Sequence, residues 1–556
     1  MIPRFSKERW GRSLWQESNV LAPNYTTGEG TMVKAMAWTW EWWRYLCGIP
    51  AQLWGNPVVG REVRVRARVG RGYLLQSAYL GFLILITLLT YTNVVSKEVG
   101  RNPFSAQEYL QDFHSVVMGT LTALIVLIAP GLTANAITLE RERRTIDLLV
   151  ATPLTARQLL TGKLVGSFAF IVLLLALALP ISGVSLLLGG TTFQELLETY
   201  LLIALSAMVI SAIALFSSVY ARSSTVAVFW SYLRVGIFVG VLVIMTAFFQ
   251  AAWSLGGGKA TGRELIFPIA ALSPFYASYI ADTFVPIMGY DLPGVLVGTL
   301  FCLMATRLLL TGAAFKVGLY DKDTLPSLRK QMLLFVFLLA LLNTAPLLQF
   351  ARANMEPIAW MLLFLAMLMP LLLLFIAPYG AHGGRSYDND GAFRLSRMFN
   401  ANPSGALPYL MAFWGAGVAG LLISVWPHRA LISVDGWIAI GTMLFYYTGL
   451  WVFLWALARA ASALLRGRSV VGARLLTLAI YTALFVGPLM VYLASFAGPV
   501  LRASIIFPVI AYSELYWDTP MEASSQFFVY GSALWGIGTF VSYLHERYTN
   551  RGRDVS

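Results

Sequence analysis

Charge is scarce in this sequence. Only 12% of its 556 residues are Asp, Glu, Lys or Arg, while 58% are hydrophobic, whereas a soluble domain carries roughly 25% charged residues. That balance excludes a single water-soluble core. Cysteine and histidine are nearly missing as well. The two cysteines, Cys47 and Cys302, stand in a tryptophan-rich stretch and in an apolar run, without a CxxC spacing, so neither a disulfide framework nor a metal site is suggested. The four histidines, His114, His382, His428 and His545, are far apart, and no zinc-protease spacing or nucleophile–His–acid arrangement is present. Asp388-Asn389-Asp390-Gly391 lacks the glutamate that would close a calcium loop. A phosphate-cradling loop is absent too. Its nearest candidate, Gly256-Gly257-Gly258-Lys259, continues with Ala260 where Ser or Thr is required, and no strand precedes it. The expectation is a chain that binds no cofactor, metal or nucleotide itself.

What the sequence has instead is long apolar runs. A helix of about 20 apolar residues crosses the roughly 30 Å hydrocarbon core, and such runs occur at 73–95, 115–138, 164–189, 196–219, 225–252, 291–315, 331–350, 357–379, 405–427, 437–459, 474–497 and 526–544. The fold class expected is all-α: a polytopic transmembrane helix bundle of about 12 spans. No short apolar core followed by a cleavage site stands at the start, so no removable signal peptide is expected. A net charge of +13 would suit nucleic acid, but the Lys and Arg lie in short clusters between the apolar runs, where they act as topology signals. Lipid, and not nucleic acid, is the partner this pattern implies.

Positively charged loops stay on the cytoplasmic side during insertion. Counted over alternate loops after residue 60, one set holds 25 Lys and Arg and the other 7. Both termini are therefore expected in the cytoplasm. Two further apolar segments, 266–288 and 500–514, are read as not spanning. If the first crossed, 14 of the 25 inside charges would move out, and Pro268, Pro274 and Pro286 interrupt any continuous helix there. It reads as re-entrant or interfacial. Residues 32–47, with Trp38, Trp40, Trp42 and Trp43 beside Lys34, Glu41 and Arg44, read as a helix lying in the cytoplasmic interface. Arg234 and Arg307, the main charges within spans, are near enough to the cytoplasmic ends to snorkel.

The halves look related. Ile266-Phe267-Pro268-Ile269-Ala270-Ala271 is echoed by Ile506-Phe507-Pro508-Val509-Ile510-Ala511, each before the last span of its six. The organisation expected is a cytoplasmic segment 1–60, a first six-helix half 61–320 with a cytoplasmic loop 139–163, and a degenerate second half 321–556. One chain would then form a pseudo-dimer; a homodimer is the alternative.

The loop after the second run is the most informative stretch. Glu140-Arg141-Glu142-Arg143-Arg144-Thr145 is too charged to span, and Ile146, Leu149 and Val150 then recur at helical spacing. The expectation is one short amphipathic helix from about Glu140 to Val150, stopped by Pro153, with Thr155 capping the next helix. The run continues through Asp147, Leu148, Leu149, Thr152 and Pro153 to Gly162-Lys163. It resembles the first cytoplasmic loop of type-2 ABC exporter permeases. Asn56-Pro57 followed by Arg61, Glu62 and Arg64 resembles the basic helix leading into their first span, and Leu272-Ser273-Pro274-Phe275 resembles the segment before their last.

That resemblance implies a coupling helix seated in a groove of a cytosolic ABC ATPase. Glu140, Glu142 and Asp147 would face basic groups of the ATPase, Arg141, Arg143 and Arg144 would face acidic ones, and Leu148 and Leu149 would pack at the contact. ATP would be used by that partner. The loop His382–Pro403 of the second half lacks the Glu-Arg-Glu run, so a second coupling helix is not expected from it. The function implied is the permease subunit of an ABC exporter in the cell membrane, a prokaryotic plasma membrane. A non-transporting membrane anchor for a complex is the alternative. A secondary transporter is a third reading, and it wants acidic groups near the midplane that the runs do not contain.

Overall fold

The computed structural model describes residues 57–67, 70–95, 106–145, 155–255, 268–281, 283–287, 290–317, 324–350, 365, 406–431, 434–464, 479 and 520–551. The chain divides into two compact units, Met1–Gly60 and Arg61–Ser556. Of the first, only Pro57–Gly60 are described. The Trp-rich segment 32–47, the runs 357–379 and 474–497 apart from residues 365 and 479, the loop His382–Pro403 and the Ile506–Ala511 echo with Pro508 lie outside the described residues.

The helices in chain order are α1 (Pro57–Ala67), α2 (Gly70–Thr90), α3 (Ala106–Thr133), α4 (Thr138–Glu142), α5 (Ala156–Leu187), α6 (Phe193–Tyr220), α7 (Ser224–Leu255) and the single-turn α8 (Ala277–Ala281). A hairpin of β1 (Phe284–Ile287) and β2 (Tyr290–Pro293) follows. Beyond it come α9 (Gly294–Val317), α10 (Thr324–Phe350), α11 (Ala406–Val425), α12 (Val434–Leu464) and α13 (Pro520–Arg551). Among the described residues, eight helices are long and apolar enough to cross a membrane. The protein is an all-α polytopic bundle; the hairpin, in which Phe284 pairs with Pro293 and Ile287 with Tyr290, is a small addition that the sequence did not suggest.

The centre of the first half is α6. Its buried face is built of Ser206, Ala207, Ser211, Ala212, Ala214, Ser217 and Ser218, small side chains that let helix backbones approach closely in lipid. Buried hydroxyls elsewhere turn back on their own helices. Thr87 donates to the Leu83 carbonyl at 2.8 Å, Thr133 to Ala129 at 2.7 Å and Ser231 to Ala227 at 2.6 Å. In a hydrocarbon environment no water would satisfy them.

The segment from Pro268 is not one helix. Two 3-10 turns, Pro268–Leu272 and Pro274–Tyr276, lead into α8 and the hairpin, as the prolines imply. Ala270, Ala271, Leu272 and Ser273 are buried, so these turns sit inside the bundle. The Ile269 amide, which has no helical acceptor, donates to Asn343 Oδ1 on α10 at 3.0 Å. Gly298 of α9 makes room for them: a Cβ there would stand 2.9 Å from both Ala271 Cβ and Leu202 Cδ2. Phe275, in contrast, is exposed.

Candidate functional site

The charged run after the second span is held by three neighbouring helices. After α3 ends, a four-residue turn leads into α4, whose first amides need acceptors. They find one in a distant side chain: Ser218 Oγ on α6 accepts from Ile137 N at 3.0 Å and from Thr138 N at 3.2 Å.

Each charge of Glu140-Arg141-Glu142 then goes to a group of opposite polarity. Glu140 Oε1 accepts from Lys163 Nζ on α5 at 2.7 Å, and the same ammonium reaches Glu62 Oε1 on α1 at 3.3 Å. Lys163 is buried, with its side chain 4% exposed. Buried charges persist only when paired, which two carboxylates achieve for one lysine. The close fit extends to the backbone, because a Cβ on Gly166, one turn after Lys163, would lie 2.5 Å from Glu62 Cβ. Glu140 Oε2 is buried with no partner among the described residues.

Arg141 closes the end of α6 by donating to the carbonyls of Val219 at 3.2 Å and of Ala221. Glu142 closes the start of α7. Its Oε1 accepts the Ser224 amide at 2.7 Å and its Oε2 accepts the Ser224 hydroxyl at 2.8 Å. Helix C-termini favour cations and N-termini favour anions, so adjacent residues of opposite sign clamp both sides of the α6–α7 reversal.

The helix stops there. The expected helix from Glu140 to Val150 is interrupted: Arg143 follows as the C-cap, and Arg144 is left-handed at φ 57. Arg144 N donates to Arg141 O at 3.1 Å and Thr145 N to Glu140 O at 2.9 Å, the paired bonds of a Schellman ending. This ending usually uses glycine, and a side chain in that conformation costs about 1–2 kcal/mol. Arg143 and Arg144 are exposed, while Thr145 is half-buried and also donates through its hydroxyl to Glu140 O at 3.2 Å. Asp147, Leu148, Leu149, Thr152 and Pro153 lie outside the described residues.

On the far side of the loop, Thr155 caps α5 as expected. Its hydroxyl accepts from Gln158 N at 3.2 Å, and Gln158 Oε1 returns the bond to Thr155 N at 3.0 Å. Lys163, counted among the loop charges, is therefore two turns inside a helix. Arg61 and Arg64 of α1 are exposed, and Glu62 is not. Arg234, expected to snorkel, is half-buried: Nη1 donates to Ser217 Oγ at 2.8 Å, and the guanidinium lies 5.7 Å from the Phe216 and Trp230 rings.

Sequence reasoning missed Lys163, Ser218 and Ser224 as members of this site. Their partners are 23 to 101 residues distant, beyond any local pattern. His114 is buried in α3 with Nδ1 2.8 Å from Ser185 Oγ. No group of three His, Cys, Asp or Glu that would hold a metal occurs among the described residues.

No curated protein and no solved structure matches the chain. Residues 58–280 match the model of a family described as ABC-2 family transporter protein. That span runs from α1 through the clamped turn to α8, so the matched region contains every residue of the site just built. Residues 58–280 are accordingly similar to ABC-2 family transporter proteins, and with eight helices long and apolar enough to cross a membrane among the described residues the protein is a multi-pass membrane protein.

Proposed function

We propose that the chain is the membrane-spanning permease subunit of an ABC exporter, driven by a separate cytosolic ABC ATPase that binds and hydrolyses the ATP. The observation that carries this reading is the Arg143–Arg144 turn, exposed at its tip and tied at its base to α5, α6, α7 and, through Lys163, to α1. A partner that moves this turn moves the ends of those helices with it, because each tie is a charged hydrogen bond to a helix terminus or a buried ion pair. Motion imposed from the cytosol thus reaches the bundle without passing through a flexible linker.

The 25-to-7 distribution of Lys and Arg supports placing the turn, and both termini, in the cytoplasm of a cell whose plasma membrane carries the protein. The six-and-six layout and the repeated Ile-Phe-Pro segment support a tandem of two six-helix halves, with two ATPase subunits below one chain. The buried turns at Pro268 and Pro274 serve in this reading as a re-entrant segment opening toward the outer side.

Reconstitution in vesicles tests the proposal. The purified chain alone should neither bind nor hydrolyse ATP, and an ABC ATPase encoded beside it should be captured by it and stimulated. Saturable ATP binding by the isolated chain, or an ATPase rate indifferent to its presence, overturns the reading.

A further inference from the structure

The sequence shows five charges of both signs in a row, but the fold sorts them. Glu140, Arg141 and Glu142 are satisfied within the chain by Lys163, by two α6 carbonyls and by Ser224. Both oxygens of Glu142 are engaged on one residue. Of the five, only Arg143 and Arg144 are left with exposed side chains that make no hydrogen bond or ion pair among the described residues. Arg222, in the same condition, lies on the α6–α7 reversal that Arg141 and Glu142 clamp. The surface offered to a partner is therefore cationic, although the run that builds it is nearly balanced.

We propose that the ATPase meets this chain through carboxylates facing Arg143 and Arg144, with Arg222 at the margin, and that Glu140, Arg141 and Glu142 make no contact with it. This inference rests on the function proposed above and names the chemistry of its partner surface. Two features favour a shaped protein groove over anionic headgroups, which would satisfy the same charges. Arg143 and Arg144 stand on a Schellman ending closed by two backbone bonds, and Arg144 keeps a left-handed backbone that glycine would adopt more easily. Fluid headgroups need no such fixed turn. Guanidinium forks at fixed positions suit bidentate pairing with carboxylates.

The test uses the full chain in neutral-lipid nanodiscs and the ATPase identified by reconstitution. Replacing Arg143 and Arg144 together by Glu should weaken ATPase binding by at least roughly tenfold and reverse the salt dependence of association, as expected when like charges are set face to face. A carboxylate-to-lysine reversal in the ATPase groove should restore it. Arg144→Gly, which preserves the turn, should weaken binding in the same direction and guards against a misfolded double variant. Glu142→Gln should leave the affinity of the folded protein where it was.

Unchanged binding by the arginine variants overturns the inference. So does a loss that appears only in vesicles containing anionic lipid, which assigns these arginines to headgroups, or a Glu142→Gln loss equal to theirs at full folding. If the unaltered chain binds no ATPase at all, the proposed function fails first, and that result is visible before any variant is made.

Discussion

Glu142 and Ser224 are 82 residues apart in sequence, yet the carboxylate of the first receives both the amide and the hydroxyl of the second, at 2.7 and 2.8 Å. A helix that begins in a reversal between two spans ordinarily caps itself. Here α7 is capped by a residue of another segment, so its first turn is positioned by whatever positions Glu142. Replacing Glu142 by Ala should lower the unfolding temperature of the detergent-solubilised protein, and Ser224→Ala should add little to it, because the two share one bond pair. Additive losses in thermal unfolding would mean that the cap is not the link between them.

The Lys163 ion cluster predicts a larger effect. Lys163→Met leaves Glu140 and Glu62 facing each other in a site where their side chains are only 10% and 17% exposed, and removal of one partner from a buried pair costs about 3–5 kcal/mol. Adding Glu140→Gln and Glu62→Gln to the methionine variant should recover much of the loss, since uncharged groups of similar shape need no counter-ion. Thermal unfolding of the single and triple variants checks the sign. A triple variant no more stable than the single one would show that packing of the lysine stem, and not charge, holds the three segments.

These two contacts mark the limit of what the sequence made legible. The long helices were visible because apolar runs of span length have few other uses, and the cap at Thr155 was visible because its partner is three residues away. The interruption at Pro268 and Pro274 was visible for an equally local reason. The pairing of Arg141 and Glu142 was not, since helix ends some 80 residues later supply the partners, nor was that of Glu140 with Lys163 inside α5. Lys163 read as a loop charge because a lysine in an apolar helix is unexpected until two carboxylates are seen beside it. The turn at Arg144 carried no glycine to announce it.

Gly298 predicts a packing effect inside the membrane. A methyl group there would press on Ala271 and Leu202 at 2.9 Å, atoms held from both sides by α6 and the 3-10 turn. Gly298→Ala should destabilise the protein by about 1–3 kcal/mol, the usual cost of overpacking. Ala271→Gly in the same chain should relieve part of it, and equal unfolding temperatures for the single and double variants would place the strain elsewhere.

Orientation is testable at two exposed positions on opposite ends of the bundle. Tyr290 in the hairpin is 77% exposed, and Arg222 is exposed on the α6–α7 reversal. The charge distribution puts them outside and inside respectively. With Cys47 and Cys302 replaced by serine, a membrane-impermeant maleimide added to intact cells should label Tyr290→Cys and not Arg222→Cys until the cells are opened. Labelling of both from one side would remove the topology on which the cytosolic turn depends.

Arg144→Gly separates stability from coupling, because the two should move in opposite directions. Glycine adopts φ near 57° without the contact that a Cβ makes with the following carbonyl, a relief of about 1–2 kcal/mol. Its greater freedom in the unfolded chain returns roughly 0.4–1 kcal/mol of that. The folded protein should therefore gain about 0.5–1 kcal/mol, read as a higher unfolding temperature. Stimulation of the partner ATPase should fall all the same, because one of the two exposed guanidinium groups is gone. Arg144→Ala completes the comparison: it keeps the left-handed strain and loses the charge, so stimulation should fall without any gain in stability. A glycine variant that is more stable and stimulates fully would show that only the turn, and not the Arg144 charge, is used at the contact. A glycine variant with no gain in stability would mean that residue 144 is not held in the left-handed conformation, and the fixed placement of Arg143 and Arg144 would lose its basis.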